Sequence, residues 1–181
     1  MRKTLEVVDG FHPNPAALTS RALDAHLVAD GEPAAPGRGR LVGPCDVDRW
    51  AAATVSSLLG TTADRTVPAP DGGRFVLRDK EVPGDDAPHR EPTDWTAIVF
   101  LSAAPPQGAG LTFLRQEPGG PDDWVECAFI PARFNRLVLY RSSVLSRRAS
   151  PGFGIGVADG WLSHEWGFDI DPVPERTNRA L

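Results

Sequence analysis

The stretch "PHREPTDWTAIVFLSAAPPQGAGLTFLRQE", Pro88–Glu117, holds the pattern on which the reading of this chain turns. Its middle, "DWTAIVFLS", is short and apolar at nearly every position. A strand with both faces covered reads this way, because neither face meets water. "AAPPQGAG" breaks the run with turn residues, and "GLTFLRQ" resumes as a second short strand. The segment between them is read as a hairpin connection. Just upstream, His89 and Glu91 lie in a polar, proline-flanked loop. Residues two apart in extended backbone point the same way, so this imidazole and carboxylate are expected side by side at the sheet rim.

The texture continues outward in both directions. "RFVLRDK", "DWVECAFI", "RLVLYRS" and "WLSHEWGFDI" are short, apolar or alternating, and bounded by turn residues; "EPGGPDD" reads as another hairpin connection. Before them the pattern is helical. "TLEVVDGF" gives an opening strand that turns at Asp9-Gly10, and "PNPAALTSRALDAHLVAD" follows with Asn14 as cap and Pro15 in the first turn. Leu18, Ala22 and His26 share a face there, which makes His26 an ordinary helix-face histidine. "GEPAAPGRGRLVGP" reads as an irregular connector. A second helix is expected from Asp46 to Leu59, on a face of Val47, Trp50, Thr54 and Leu58, stopped by Gly60. "TTADRTVPAPDGG" reads as the next connector. Two helices followed by six or more close-spaced strands predict an α+β chain, mostly β, built on an antiparallel barrel or sandwich. The expected organisation is a single domain over 1–181: N-terminal strand and helices to 71, a barrel core over 72–170, and a tail over 171–181.

Composition narrows the function. The net charge is −5 and no basic run appears, so a nucleic-acid partner is not expected. The pair Arg147–Arg148 reads as a solvated loop. No stretch approaches the ~18 apolar residues of a membrane span, and the start of the chain lacks the pattern of a secretion signal. A cytoplasmic location is expected. Cys45 and Cys127 are far apart and outside any metal-type spacing; both are expected to be buried and inert. Lysine is nearly absent beside abundant arginine, alanine, glycine and proline, a coding bias that discounts the arginine count as functional evidence.

An isolated H-x-E is a motif that many exposed loops supply, but its company here is specific. "DGFHPNPAAL", then the Pro88–Glu117 stretch, then "IPARFNRLVLYRSSVLSRRA" follow one another in an order that resembles small bacterial members of the iron(II)/2-oxoglutarate dioxygenase superfamily, including the prolyl-4-hydroxylase-like branch. The resemblance implies a double-stranded β-helix, or jelly roll. It also implies site residues. His89-Arg90-Glu91 is similar to the family's H-x-D; "GAGLTF", Gly108–Phe113, to its glycine-rich hairpin; and "PARFNRLVLY", Pro131–Tyr140, to the strand leading to the second metal histidine. That histidine is missing, and Ser146 stands where it belongs. In the last strand the family's arginine, which holds the far carboxylate of 2-oxoglutarate, corresponds to Trp161, although the serine two places on is kept as Ser163.

Each departure has a chemical meaning. Glu for Asp moves a carboxylate oxygen by more than about 1 Å, where ligand distances tolerate only about 0.2 Å. Serine is a neutral and poor ligand for Fe(II), whose usual set of two histidines and one carboxylate it would break. Tryptophan removes a bidentate clamp and fills its space. His164 offers a replacement nitrogen, but alternation turns it away from the face of Ser163 unless a bulge intervenes.

The preferred reading is a small-molecule, natural-product-type tailoring enzyme without metal or cofactor, catalysing a cyclisation, isomerisation or elimination. His89 and Glu91 are its catalytic residues, and Tyr140, Arg141, Trp161, Ser163 and Glu165 its substrate-binding wall. Trp95, Trp124 and Trp166 are read as packing. The alternative is a divergent oxygenase using Fe(II) and 2-oxoglutarate with His89, Glu91 and His164 as ligands; a second alternative is a ligand-binding protein without chemistry. The expected partner is a small organic substrate, not a membrane, and exposed strand edges allow a homodimer.

Overall fold

The computed structural model describes residues 4–28, 40–45, 49–62, 65–80, 88–117, 119, 123–150 and 152–171. In chain order the elements are β1 (Leu5–Asp9), α1 (Pro15–Val28), β2 (Arg40–Cys45), α2 (Arg49–Leu58), β3 (Thr66–Arg78), β4 (Trp95–Phe100), β5 (Gly110–Gln116), β6 (Trp124–Pro131), β7 (Arg136–Arg141), β8 (Leu145–Arg148) and β9 (Trp161–Ile170). They form a major sheet in the order β1-β7-β4-β9-β3-β2 and a minor sheet in the order β6-β5-β8. Every pairing is antiparallel. The two sheets close on each other as a double-stranded β-helix, with helices on the outside of the major sheet.

Strand alternation divides the apolar residues into two layers. Ala97, Val99, Leu137, Leu139, Leu162 and Trp166 face outward onto Leu18 and Ala22 of α1 and Ala51 and Val55 of α2. Ile98, Phe100, Val138, Tyr140 and Trp161 face inward and meet Leu111 and Phe113 of the minor sheet. All six residues of β4 are therefore buried, which is why its sequence shows no alternation. Trp95 and Trp166 are core residues, while Trp124 is half-buried.

The helix ends follow their local chemistry. Asn14 caps α1 by accepting the Ala17 amide at 3.2 Å, and Pro15 occupies the first turn. After α2, Gly60 adopts a left-handed φ of 68°. The amides of Gly60 and Thr61 reach back to the Ser57 and Ser56 carbonyls at 3.0 and 2.9 Å, a Schellman closure. The buried face of α2 is Ala51 and Val55. Trp50, expected on it, is exposed and lies against Phe11 and His12. Asp46, Val47, the side chains of His26 and Cys45, and residues 172–181 of the expected tail lie outside the described residues.

Several expectations are corrected. Arg40–Cys45, inside the expected connector, is strand β2. It tolerates Gly43 and Pro44 because it is an edge strand and its register shifts between Leu41 and Gly43. Likewise β3 starts at Thr66 within the second connector, absorbing "APDG" through a register shift between Pro68 and Gly73. β1 and β2 are thus strands of the major sheet, and the boundary drawn at 71 falls inside β3. "AAPPQGAG" is not a hairpin, since β4 and β5 belong to different sheets. Cys127 is exposed, on the edge strand β6. Arg147 and Arg148 are in β8, not in a solvated loop.

Gly110 opens β5 where β6 crosses closest. A Cβ there would stand 2.3 Å from the Ile130 carbonyl oxygen and 2.7 Å from the Phe129 ring. Gly110→Ala is expected to lower stability by about 1–3 kcal/mol, read as a fall in the urea midpoint at an unchanged slope.

A candidate active site on the inner face of the barrel

The site begins with a backbone pair. His89 and Ser146 exchange both amide hydrogen bonds, each at 3.1 Å, as an isolated antiparallel bridge. This adds a fourth rung to the minor sheet beyond β8. Residues paired in this way share a face, so the Ser146 side chain stands beside the His89 ring. On its other side Ser146 pairs with Phe113, and Arg148 with Leu111. His89, Ser146, Phe113, Arg148 and Leu111 thus form one inner surface.

His89 Nε2 lies 3.1 Å from Glu91 Oε1, with the imidazole 39% and the carboxylate 24% exposed. The hydrogen bond from His89 holds the Glu91 carboxyl below its ordinary range, against the upward push of burial. Ser146 Oγ is 3.4 Å from Tyr140 Oη, a long contact between two buried hydroxyls. Burial pushes the Tyr140 phenol well above its ordinary value, so it stays protonated. Its ring meets Phe113 edge-on at 5.1 Å.

Deeper in, Glu165 is enclosed by donors from three strands. Ser163 Oγ–H donates to Oε1 at 2.6 Å, and Arg148 pairs with the same oxygen. Arg74 Nη2 lies 3.9 Å from Oε2. Burial raises the Glu165 carboxyl, but the guanidiniums of Arg148 and Arg74 and the Ser163 hydroxyl outweigh it and hold the group below its ordinary range. Beside Ser163 in the same inward row, Trp161 packs against Phe100 and Phe153, and its buried Nε1 has no hydrogen-bond partner among the described residues.

The structure therefore brings His89, Glu91, Tyr140, Trp161, Ser163 and Glu165 to the inner face. It does not bring Arg141. Adjacent residues of a strand point to opposite sides, and Arg141 stacks over the outward-facing Trp95 at 5.1 Å. His164 is likewise turned outward, its ring 5.2 Å from Phe75 and 4.8 Å from Trp166. The set His89, Glu91 and His164 is not assembled. Arg148 and Arg74 were missed by the sequence reading. Two-residue spacing from Ser146 is the sequence signal that points to Arg148, whereas Arg74 is placed only by the pairing of Val76 with Ser163.

This donor set does not fit an iron centre of two histidines and one carboxylate. The side chain standing beside His89 and Glu91 is an alcohol, Ser146, and the imidazole is bound to its own carboxylate. Among the described residues no group of three or more His, Cys, Asp or Glu could hold a metal ion. Nor is any described helix long and apolar enough to cross a membrane.

No family model matches the chain, and no curated relative matches it either. Solved structures do. The non-heme alpha-ketoglutarate-dependent epimerase SnoN from nogalamycin biosynthesis superposes with a TM-score of 0.62 over 94% of this chain and 79% of that one, at 16% identity. It has also been solved in complex with Fe3+ and alpha-ketoglutarate. The alpha-ketoglutarate-dependent carbocyclase SnoK, from the same biosynthesis, gives a TM-score of 0.54 over 92% and 79% of the two chains, at 9% identity. A prolyl 4-hydroxylase from Phytophthora capsici gives 0.53 over 99% and 64%, at 16% identity. At such identities the likeness is one of fold alone: the chain has the double-stranded β-helix seen in these iron/2-oxoglutarate enzymes.

Proposed function

We propose that this chain is a tailoring enzyme acting on a small organic, natural-product-type substrate without iron, as a cyclase, isomerase or lyase. The observation that carries the reading is the His89–Ser146 backbone pair, which stands a neutral alcohol, a poor ligand for iron, beside the His89 imidazole. The presence of an epimerase and a carbocyclase among the structural neighbours supports a rearrangement of this class.

His89 moves the proton. With its Nε2–H given to the ionised Glu91 carboxylate, the basic nitrogen of the ring is Nδ1. A substrate C–H made acidic by an adjoining carbonyl gives its proton to Nδ1. The resulting imidazolium is stabilised by Glu91 and returns the proton to another substrate atom or to a leaving group. Nothing is oxidised or reduced in that cycle. Tyr140, held protonated, and Ser146 supply hydroxyl donors for an oxygen on which charge develops. Trp161 fills the interior and keeps the substrate near the rim.

Metal binding tests the reading directly. Wild-type protein titrated with Ni(II) and 2-oxoglutarate is expected to show no saturable heat. Tight binding abolished by His89→Ala would overturn the proposal in favour of a divergent oxygenase. The double variant Ser146→His, Glu91→Asp restores the missing donors on the same backbone positions, and is expected to gain Co(II) binding visible in the absorption spectrum. For a substrate found by screening, turnover should survive EDTA and fall about 10²–10⁴-fold in His89→Ala. A ligand that binds but is never converted would leave a binding protein.

Glu91 also sets a pH signature. A carboxyl held down in the folded state stabilises the fold above its unfolded value, and that contribution fades as the pH falls through the folded value. Wild type is expected to exceed Glu91→Gln by about 1 kcal/mol at pH 7. The difference should close below the ordinary carboxyl value of 4.5, as read from urea unfolding across the acid range.

A further inference from the structure

Glu165 is the most enclosed carboxylate on the inner face, with a side chain 6% exposed against Arg148 at 9%. Its partners come from separate places: Arg74 from β3, Arg148 from β8 of the opposite sheet, and Ser163 from its own strand. One hydroxyl at 2.6 Å, one guanidinium on the same oxygen and a second cation at 3.9 Å make up the donor set with which proteins hold a ligand carboxylate. Stability alone does not explain such a cluster. A buried ion pair repays its desolvation only with excellent geometry, and apolar replacements of similar volume often do as well.

We propose that Arg148, Ser163 and Arg74 form a carboxylate-binding site inside the barrel, and that Glu165 is its resident ligand, an intramolecular plug that denies the site to free small carboxylic acids. This rests on the reading above that the barrel works without a carboxylate cosubstrate. The advantage of the plug is its tether. A carboxylate carried on the neighbouring residue pair surrenders no translational freedom on binding, whereas a free acid must. Millimolar metabolite acids therefore do not displace it, and the cations never stand open to them. Trp161, on the same inward row, fills the barrel beyond it.

Removing the plug should unmask the site. Glu165→Ala takes away what acetate puts back, atom for atom. In chelated buffer, at ionic strength matched with chloride, acetate tenfold above its dissociation constant is expected to raise the melting temperature of Glu165→Ala by roughly 4 °C. Above the dissociation constant the rise should grow with the logarithm of the acetate concentration, and it should be absent from wild type and from the double variant Glu165→Ala, Arg148→Met. A folded Glu165→Ala indifferent to acetate and formate would overturn the proposal, as would a wild type that responds equally. If Glu165→Ala does not fold in chloride, refolding in acetate decides. Recovery of the native circular dichroism with acetate alone supports the plug, and no recovery overturns it. These readouts contain no metal, so they stand or fall separately from the Ni(II) titration of the wild type.

Discussion

Along a strand, each backbone step turns the next side chain to the opposite side, and no local adjustment short of a bulge escapes this. β9 and β4 lie at the centre of the major sheet, so the rule governs two interiors at once. Each residue belongs either to the layer under the helices or to the barrel. Trp161, Ser163 and Glu165 fall on the barrel side, and Leu162, His164 and Trp166 on the helix side. A shift of one residue would exchange the sets and put a charged carboxylate under α2. The apolar burial of both layers thus locks the register that defines the site.

The two carboxylates beside the site are closed on neighbouring donors. Glu91 is answered by His89, and Glu165 by Arg148, Arg74 and Ser163. The hydrogen bond from His89 holds the Glu91 carboxyl below its ordinary value, and the guanidiniums of Arg148 and Arg74 with the Ser163 hydroxyl hold down that of Glu165, despite burial. Glu91, Glu165, Arg148 and Arg74 together carry no net charge when His89 is unprotonated. Arg148 has a second role in this arrangement, because its pair with Glu165 joins the minor sheet to the major one across the barrel.

Much of this was legible in the sequence where strands are long and apolar. β4, β5, β6, β7 and β9 stand within a residue or two of the runs that announce them. The failures share a cause: the deciding information is not local. β8 is four residues long and polar in its second half, so its arginines look solvated until β5 and β9 are placed around it. β2 carries Gly43 and Pro44, which only the knowledge that it is an edge strand makes acceptable. The misplacement of Arg141 is of another kind. Tyr140 and Arg141 are neighbours on one strand, and alternation forbids both from facing the barrel, a rule available before any coordinates.

The bridge between His89 and Ser146 runs through peptide groups, and peptide groups are indifferent to what hangs from them. Any residue but proline at position 146 can keep both amide bonds. The backbone pairing therefore exerts little selection on the side chain that stands beside the imidazole, which is limited instead by the room beside the buried Tyr140 hydroxyl. A scaffold with such a hinge between inheritance and invention is well placed to host oxidative and non-oxidative reactions in closely similar folds.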